Sequence, residues 1–401
     1  MLRQVLEDNK DLWDEDQVFV STWIFAILVE VFKRVAANPR GVPAPALKAV
    51  KEFLRDNASY QEVDIFSRFI GHLKRIEGVK VGKYELAVKT RMLQELYSLA
   101  PVYNLVPKLR GTGGEILILL DELDQGWDNS EHANRFIGAL LQAAIRIQGL
   151  GLKARVIVFI RSEIFDLVKN QINQLDKLRT GIITLEWSDG QLADLITRRI
   201  AHSFSFHDRT KDREQEVANS LFEGSLGGMN GFQYLLSRTS LRRREALQFL
   251  KLAHRISVNR DDRKISVDTL LRAEEEFSAW KLEHLCAEYT HIYHGLSDLL
   301  LSYRGKGPIL GYLDALIVLD NYRKSMRGNV PDWVDSDDDS LLQRLYSVEF
   351  LGVPRPHRSK DRGGVIGDYE FAFDRRAVNV RSAETFLIHP ALWSVLEVPN
   401  A

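Results

Sequence analysis

A single cysteine, Cys286, occurs in 401 residues, which excludes an internal disulfide and fits a reducing compartment. Alone on a helical stretch, it reads as a small packing residue and not as chemistry. A surplus of one charge sign is also missing, since 54 Lys and Arg stand against 55 Asp and Glu, a formal net charge of −1. No global field therefore recruits nucleic acid or an anionic membrane, and any such contact must come from a local patch. Long apolar runs are lacking too. The candidate VFVSTWIFAILVEVF at 18–32 contains Ser21, Thr22 and Glu30, and it is shorter than the roughly 20 residues that span a bilayer. The EDNKDLWDEDQ before it is acidic, the opposite of a signal peptide's basic start. The run reads as a buried helix; no membrane contact is expected, and the expected location is the cytoplasm. There is no internal repeat, no low-complexity segment and no Gly-x-Ser-x-Gly nucleophile motif.

What remains is an ordinary globular composition, 45% hydrophobic and 27% charged, on a chain long enough for two or three domains. The first hundred residues read as helices, with APALKAVKEFLRD and YELAVKTRMLQELYSLAPVYNLV repeating apolar positions every three or four residues. Two strands are then expected, Ile116–Leu120 and Val156–Ile160, apolar on both faces as strands buried between helix layers are. Between them NSEHANRFIGALLQAAIRIQ aligns Phe136, Leu140, Ala144 and Ile147 on one helical stripe. Strand, helix and strand predict a parallel βαβ unit and hence an α/β sheet. A third short strand is expected at Ile182–Leu185, followed by a helix opened by a Ser188–Gln191 capping box. From about 206 the pattern is helical to about 320, with interhelix loops expected at 208–215 and 258–264. Residues 278–401 combine helices, a basic loop and the strand-like YEFAF and FLIHPALWSVLEV, the order a winged helix requires.

The chemistry centres on EILILLDELDQGWD, 115–128, where an apolar strand ends in Asp121, Glu122 and then Asp124. An acid leaving the carboxyl end of a parallel strand lies at the edge where open α/β folds bind ligands. In P-loop NTPases that Asp helps to hold the Mg²⁺ that bridges the β- and γ-phosphates, and a following Glu can polarise the attacking water. ILILLDE thus reads as a Walker B element, with Asp121 on the metal side and Glu122 as base; a strand end with a capping acidic loop is the alternative. VIVFIRSEIFD places Arg161 at the equivalent position of the next strand. It suits a γ-phosphate contact or an ion pair with Glu163 or Asp166.

ILILLDELD, RVIVFIRSEIFD, ITLEWSDGQLADLITRRI and LLSRTSLRRREALQFL together resemble the bacterial AAA-type P-loop ATPases related to the STAND class, signal-transducing ATPases often linked to antiviral defence or regulation. The resemblance runs over most of the chain. It implies an α/β fold with a parallel-sheet P-loop NTPase core (1–205), a helical lid (206–277) and a winged-helix-like domain (278–401). It implies ATP and Mg²⁺ as cofactors, Asp121 and Glu122 in Walker B, and Arg161 at the end of the sensor strand. The family's Arg-Pro-Arg-acid lid motif corresponds to Arg242-Arg243-Arg244-Glu245, with Arg243 in place of the usual Pro, and assigns Arg242 and Arg244 to nucleotide.

One element is missing. Walker A, Gly-x-x-x-x-Gly-Lys-Ser/Thr, whose amides and lysine cradle phosphate, has no counterpart here. LRGTGGE (109–115) lacks the lysine, RGKGP (304–308) lacks the hydroxyl, and GLGLKA (149–154) follows a helix and precedes a strand, so all three read as turns. The retained acid pair favours a chain that is the downstream part of a longer ATPase, completed by an upstream Walker A segment or a partner chain, over a degenerate relative. Alone it is expected to bind ATP weakly and to hydrolyse it poorly.

Other patterns are weaker. DSDDDS (335–340) lacks the glycine and the final glutamate of a calcium loop and reads as a helix cap. His284, His291 and His294 share a helix with no complementary ligand cluster. The basic loop PRPHRSKDRGG (354–364) would be the wing, with Arg355, Arg358, Lys360 and Arg362 placed to contact DNA phosphates. The expectation is a regulatory ATPase module in which nucleotide state sets the lid and winged helix and signals to an effector, with a homo-oligomer as one arrangement. The alternative is a non-catalytic scaffold that binds DNA or protein through its winged helix.

Overall fold

The computed structural model describes residues 15–58, 64–65, 67–69, 72, 99–124, 127–169, 172, 178, 180–203, 211–326, 330–357, 364–376 and 378–399. The fold is mixed α/β and mainly helical, and it divides into two compact units, Met1–Ile183 and Thr184–Ala401.

The first unit is organised around α1 (Glu15–Ala37), in which every residue from Val18 to Val29 is buried. Its hydrophobicity all round, with few charges, is the mark of a core helix. The polar residues inside it are satisfied. Thr22 donates to the carbonyl of Val18 at 2.8 Å, and buried Arg68 pairs with Glu30 at 2.7 Å. Among the described residues no helix is long and apolar enough to cross a membrane. Helix α2 (Ala44–Asp56) packs Ala46, Val50, Phe53 and Leu54 inward. The YELAVKTRMLQELYS part of the next predicted helix lies outside the described residues. The APVYNLV part forms two helical turns, Ala100–Tyr103 and Val106–Leu109.

Strand β1 (Ile116–Leu120), helix α3 (Glu131–Gln148) and strand β2 (Ala154–Val158) make the expected parallel βαβ unit, with Ile116 opposite Ala154 and Leu120 opposite Val158. Ser130 caps α3 by accepting from the Ala133 N–H at 3.2 Å. The predicted stripe faces the core, where Leu140, Ala144 and Ile147 are buried and Phe136 packs against them. Trp23 of α1 locks the layers together: its Nε1–H donates to the Phe136 carbonyl at 3.1 Å, and its ring lies 4.9 Å from those of Phe69 and Phe136.

Two expectations fail in this unit. Among the described residues the strands are covered on one face only, and the alternate residues Leu117, Leu119 and Ile157 are exposed. Among the described residues the sheet has two strands, and a layer covers only the side against which α3 packs. The strand expected at Ile182–Leu185 does not form, and residues 181–188 are exposed throughout. Residues that favour strands become one only where a ladder partner supplies the backbone hydrogen bonds.

In the second unit the Ser188–Gln191 capping box is present, with reciprocal bonds of 3.1 and 3.2 Å, and opens α5 (Asp189–Ser203). Helix α6 (Lys211–Ser220) occupies part of the predicted 208–215 loop. A small hairpin of β3 (Ser225–Leu226) and β4 (Met229–Asn230) follows, then α7 (Gly231–Ser237), α8 (Arg243–Asn259) and α9 (Val267–Tyr289). Phe249 of α8 stacks on Phe277 of α9 with centroids 4.8 Å apart. Helix α10 (Leu296–Leu301), strand β5 (Ile309–Gly311), α11 (Tyr312–Ser325) and α12 (Asp338–Ser347) lead into β6 (Leu351–Pro354), β7 (Tyr369–Glu370) and β8 (Thr385–Ile388). The last four strands form an antiparallel sheet in the order β5-β8-β6-β7. Asp337 of DSDDDS caps α12 by accepting from the Ser340 N–H at 3.0 Å.

Candidate functional site

Because β1 and β2 run parallel, their carboxyl ends meet at one edge of the first unit. The Phe159 N–H donates to the Leu120 carbonyl at 2.8 Å, so the ladder holds the strands together to that edge. Asp121 and Glu122 emerge there, both exposed. Glu122 sits at φ 61°, a left-handed conformation that costs a non-glycine residue roughly 1 kcal/mol or more. Asp121 helps to fix this turn, its Oδ1 accepting the Glu122 N–H at 2.8 Å.

After the turn the chain folds back. Leu123 is buried, and Asp124 meets Arg161 at 2.8 Å. Arg161 stands just before α4 (Ser162–Val168), so this pair joins the loop after β1 to the loop after β2. The sequence pointed to Glu163 or Asp166 as its alternative partners; Asp124 fills that place because the parallel pairing brings the two strand ends side by side. Trp127, buried, donates from Nε1 to Asn134 Oδ1 at 3.0 Å and ties the same loop to α3. Trp127 and Asn134 carry no sequence signal of this role, and Asp124, named in the acidic run, has no partner assigned to it there.

The edge thus presents two exposed carboxylates beside a paired Arg–Asp. Among the described residues no group of three or more His, Cys, Asp or Glu side chains is placed to hold a metal ion. The donor set fits Mg²⁺ only in the form in which one or two carboxylates, water and substrate phosphates share the ion.

The glycine-rich stretches lie elsewhere. Gly111, Gly113 and Gly151 adopt φ of 68°, 74° and 73° in turns before β1 and β2, at the opposite edge. The Gly111 N–H donates to the Gly151 carbonyl at 3.2 Å, and Lys153 Nζ donates to the Gly113 carbonyl at 3.2 Å. In the second unit Gly305, φ 71°, donates to the Leu396 carbonyl at 2.8 Å. All three stretches are turns.

The lid arginines take different roles. Arg244 is exposed on the first turn of α8. Arg242 precedes that helix and bridges Glu288 of α9 at 2.6 Å and Glu349, just before β6, at 3.2 Å. Burial works against the charge on Arg242, but Glu349, Glu288 and Glu245 outweigh it and raise its pKa. Burial pushes the Glu349 carboxyl up, with Arg242 and Lys281 pulling it back; its Oε2 has no hydrogen-bond partner. Alongside, Lys281 pairs with buried Glu245 at 2.5 Å and donates to Ser240 Oγ at 2.9 Å. Arg238 pairs with Glu274 at 2.7 Å and lies over the ring of Trp393 at 4.9 Å. Arg355, expected on a DNA-binding wing, instead pairs with Asp374 at 2.8 Å and donates to the Tyr369 carbonyl at 3.0 Å. Arg358, Lys360 and Arg362 lie outside the described residues.

Residues 190–286 match a family model described as the FunZ-associated C-terminal helical domain, which corresponds to the α5–α9 region. Two curated proteins are similar. The "Putative transposon gamma-delta 80.3 kDa protein" of Escherichia coli (strain K12) is 28% identical over 299 residues, 72% of this chain and 41% of that protein. "Allergen Alt a 2" of Alternaria alternata is 30% identical over 154 residues, 38% of this chain and 79% of that protein. The chain and this second relative belong to one family. The chain spans less than half of the E. coli protein.

Proposed function

We propose that the carboxyl edge of β1 and β2 is one half of a Mg-nucleotide site and that the chain is a regulatory, signal-transducing P-loop ATPase module. Its phosphate loop is supplied by a segment outside the matched motifs, either upstream or from a partner chain. The observation that carries this reading is the exposed Asp121–Glu122 pair directly after a parallel strand, held in a left-handed turn at Glu122. Asp121 would take a place in the shell of a Mg²⁺ already bound to phosphates, and Glu122 would accept a proton from the attacking water. The Asp124–Arg161 pair fixes the spacing of the two loops. In the second unit, the helical domain and the strand-containing terminal domain act as the lid and the winged helix of the module; the α-helical match over 190–286 supports the lid assignment.

The test is the melting of the natural protein, taken from its own cells, with and without Mg-ATP. A ligand at about 100 times its Kd stabilises by about 2.7 kcal/mol, so wild type is expected to shift upward only with magnesium present. Asp121→Asn loses that shift, whereas Glu122→Gln keeps it and loses turnover. A natural protein that shows no shift, or an Asp121→Asn variant that shifts like wild type, overturns the reading.

A further inference from the structure

At the amino edge of the parallel sheet, opposite the edge that bears Asp121, the turns before β1 and β2 meet the end of α1. The segments that meet there, 31–46, 99–114 and 149–154, contain no Asp or Glu. Five of their cations are exposed: Arg34 on the last turn of α1, Arg40, Lys108, Arg110 and Lys153. Contacts between the segments bring these cations together. Arg34, Asn38 and Lys153 line one cleft of about 60 Å³ with buried Val35 and Leu109, the latter next to Lys108. The Gly113 N–H donates to the carbonyl of Gly41, next to Arg40, at 3.0 Å. Two of the cations are held in place without loss of charge. Lys153 Nζ donates to the Gly113 carbonyl at 3.2 Å and Arg110 Nε to the Leu150 carbonyl at 3.0 Å. A Cβ at Gly151 would lie 3.6 Å from Arg110 Cγ, so the arginine stem lies along that turn. Among the described residues none of the five has a carboxylate within ion-pair distance, and the next acid along the chain, Glu115, faces Arg155 at 4.0 Å. Five uncompensated cations on one edge are a local field that the net charge of −1 conceals.

We infer that this amino edge binds the phosphate backbone of duplex DNA. Arg and Lys neutralise backbone phosphates, and contacts of that kind position a protein on a duplex without reading its sequence. The kind of polyanion follows from what the edge lacks. None of the large exposed apolar residues of the described chain lies in these three segments, whereas protein interfaces are built on a desolvated apolar centre and a lipid surface is gripped by inserted apolar side chains. No aromatic side chain is exposed in them either, so a single strand finds no platform on which its bases could stack. Thr112 spends its hydroxyl on the Leu109 carbonyl at 3.0 Å, and the edge offers cationic donors where recognition of an RNA duplex leans on its 2′-hydroxyls. A DNA duplex asks only for cations spread along an open edge, and that is what the three segments supply. The inference is independent of the nucleotide reading, which concerns the opposite edge of the same sheet.

The experiment measures, by fluorescence anisotropy, binding of the natural protein to a fluorescein-labelled DNA duplex of roughly 20 base pairs and mixed sequence. Neutralising five phosphates gives a slope of log K against log salt of about −4.5, which is about 500-fold in affinity between about 50 and 200 mM KCl. Arg34→Glu combined with Lys108→Glu reverses two exposed charges that hold no partner. This double variant is expected to weaken binding at least about tenfold at about 100 mM KCl and to flatten the slope by about 2. Lys251→Glu, exposed on α8, is expected to bind within about twofold of wild type, and so is Arg34→Lys with Lys108→Arg, which keeps both charges. A thermal melt followed by circular dichroism checks that the double variant is folded. No binding at about 50 mM KCl, or a folded double variant that binds like wild type, overturns the inference. So does a loss of binding seen only on Arg358→Glu with Lys360→Glu, which would place the DNA on the basic loop 354–364. A single strand or an RNA duplex bound more than about tenfold tighter, or anionic vesicles bound while the duplex is ignored, overturns duplex DNA as the partner.

Discussion

Arg242 offers the sharpest test of how the second unit holds together. Its guanidinium is held by Glu288 at 2.6 Å and Glu349 at 3.2 Å, with those side chains 12% and 10% exposed and Arg242 itself 28% exposed. Removing one partner of a buried pair costs about 3–5 kcal/mol, because the carboxylates left behind stay buried without a counter-charge. The partial exposure of Arg242 places Arg242→Ala at the lower end, about 3 kcal/mol. With a urea slope of about 3 kcal/mol/M, the unfolding midpoint falls by about 1 M. Glu349→Gln is expected to behave differently. It keeps an acceptor for Arg242 and removes a charge whose burial is unfavourable, so its stability at neutral pH stays within about 1 kcal/mol of wild type or rises above it. The pH dependence comes from the raised pKa of Glu349. A carboxyl that binds its proton more tightly when folded favours folding at low pH. That contribution declines as pH rises from the unfolded value, about 4.3, through the folded one. Arg242→Ala removes the cation that pulls this pKa down, so its penalty is larger at pH 7 than at pH 4. Glu349→Gln in the same chain recovers part of it, and urea titrations of the four proteins at the two pH values close the cycle. An Arg242→Ala variant within about 0.5 kcal/mol of wild type, or a penalty the same with Glu and Gln at 349, would refute the account.

In the first unit, Trp23→Ala removes a fully buried ring and the hydrogen bond to Phe136; a loss of about 4 kcal/mol is expected in denaturant unfolding followed by circular dichroism. Glu122→Gly relieves the left-handed turn and is expected to stabilise the unit by up to about 1 kcal/mol while removing the base, so a gain in stability with loss of turnover supports strain held at the site, and lower stability counts against it. Asp337→Ala removes the α12 cap. The Ser340 hydroxyl and N–H bonds to Asp337 lower its pKa, so its contribution is present above the unfolded value, about 3.9, and is lost as pH falls through the folded one. Wild type and variant should therefore melt apart at pH 7 and converge in acid, and an equal gap at both pH values would show that charge plays no part.

The amino-acid sequence by itself determined the elements whose signals are local. Periodicity located α2 and α3, an unbroken apolar run with internal polar residues located α1, a run of Ile and Leu located β1, and Ser188 and the DSDDDS segment announced helix starts with side chains that bond within three residues. The acid pair Asp121–Glu122 was legible for the same reason, since strand and acids are contiguous. What only the tertiary structure decided depends on partners distant in sequence. The choice of Asp124 over Glu163 and Asp166 for Arg161 rests on β1 and β2 lying side by side, which brings together two residues far apart along the chain. Arg242 reads as a phosphate contact in a lid motif, yet Glu288 and Glu349 stand around it, the latter 107 residues away. The apolar strands do not reveal which face is covered, because the same ILILL serves a strand buried on both sides and one whose alternate residues, like Leu117 and Leu119, are exposed. Local hydrogen bonds and periodicity are written residue by residue; burial and charge pairing are set by which surfaces the folded chain brings together.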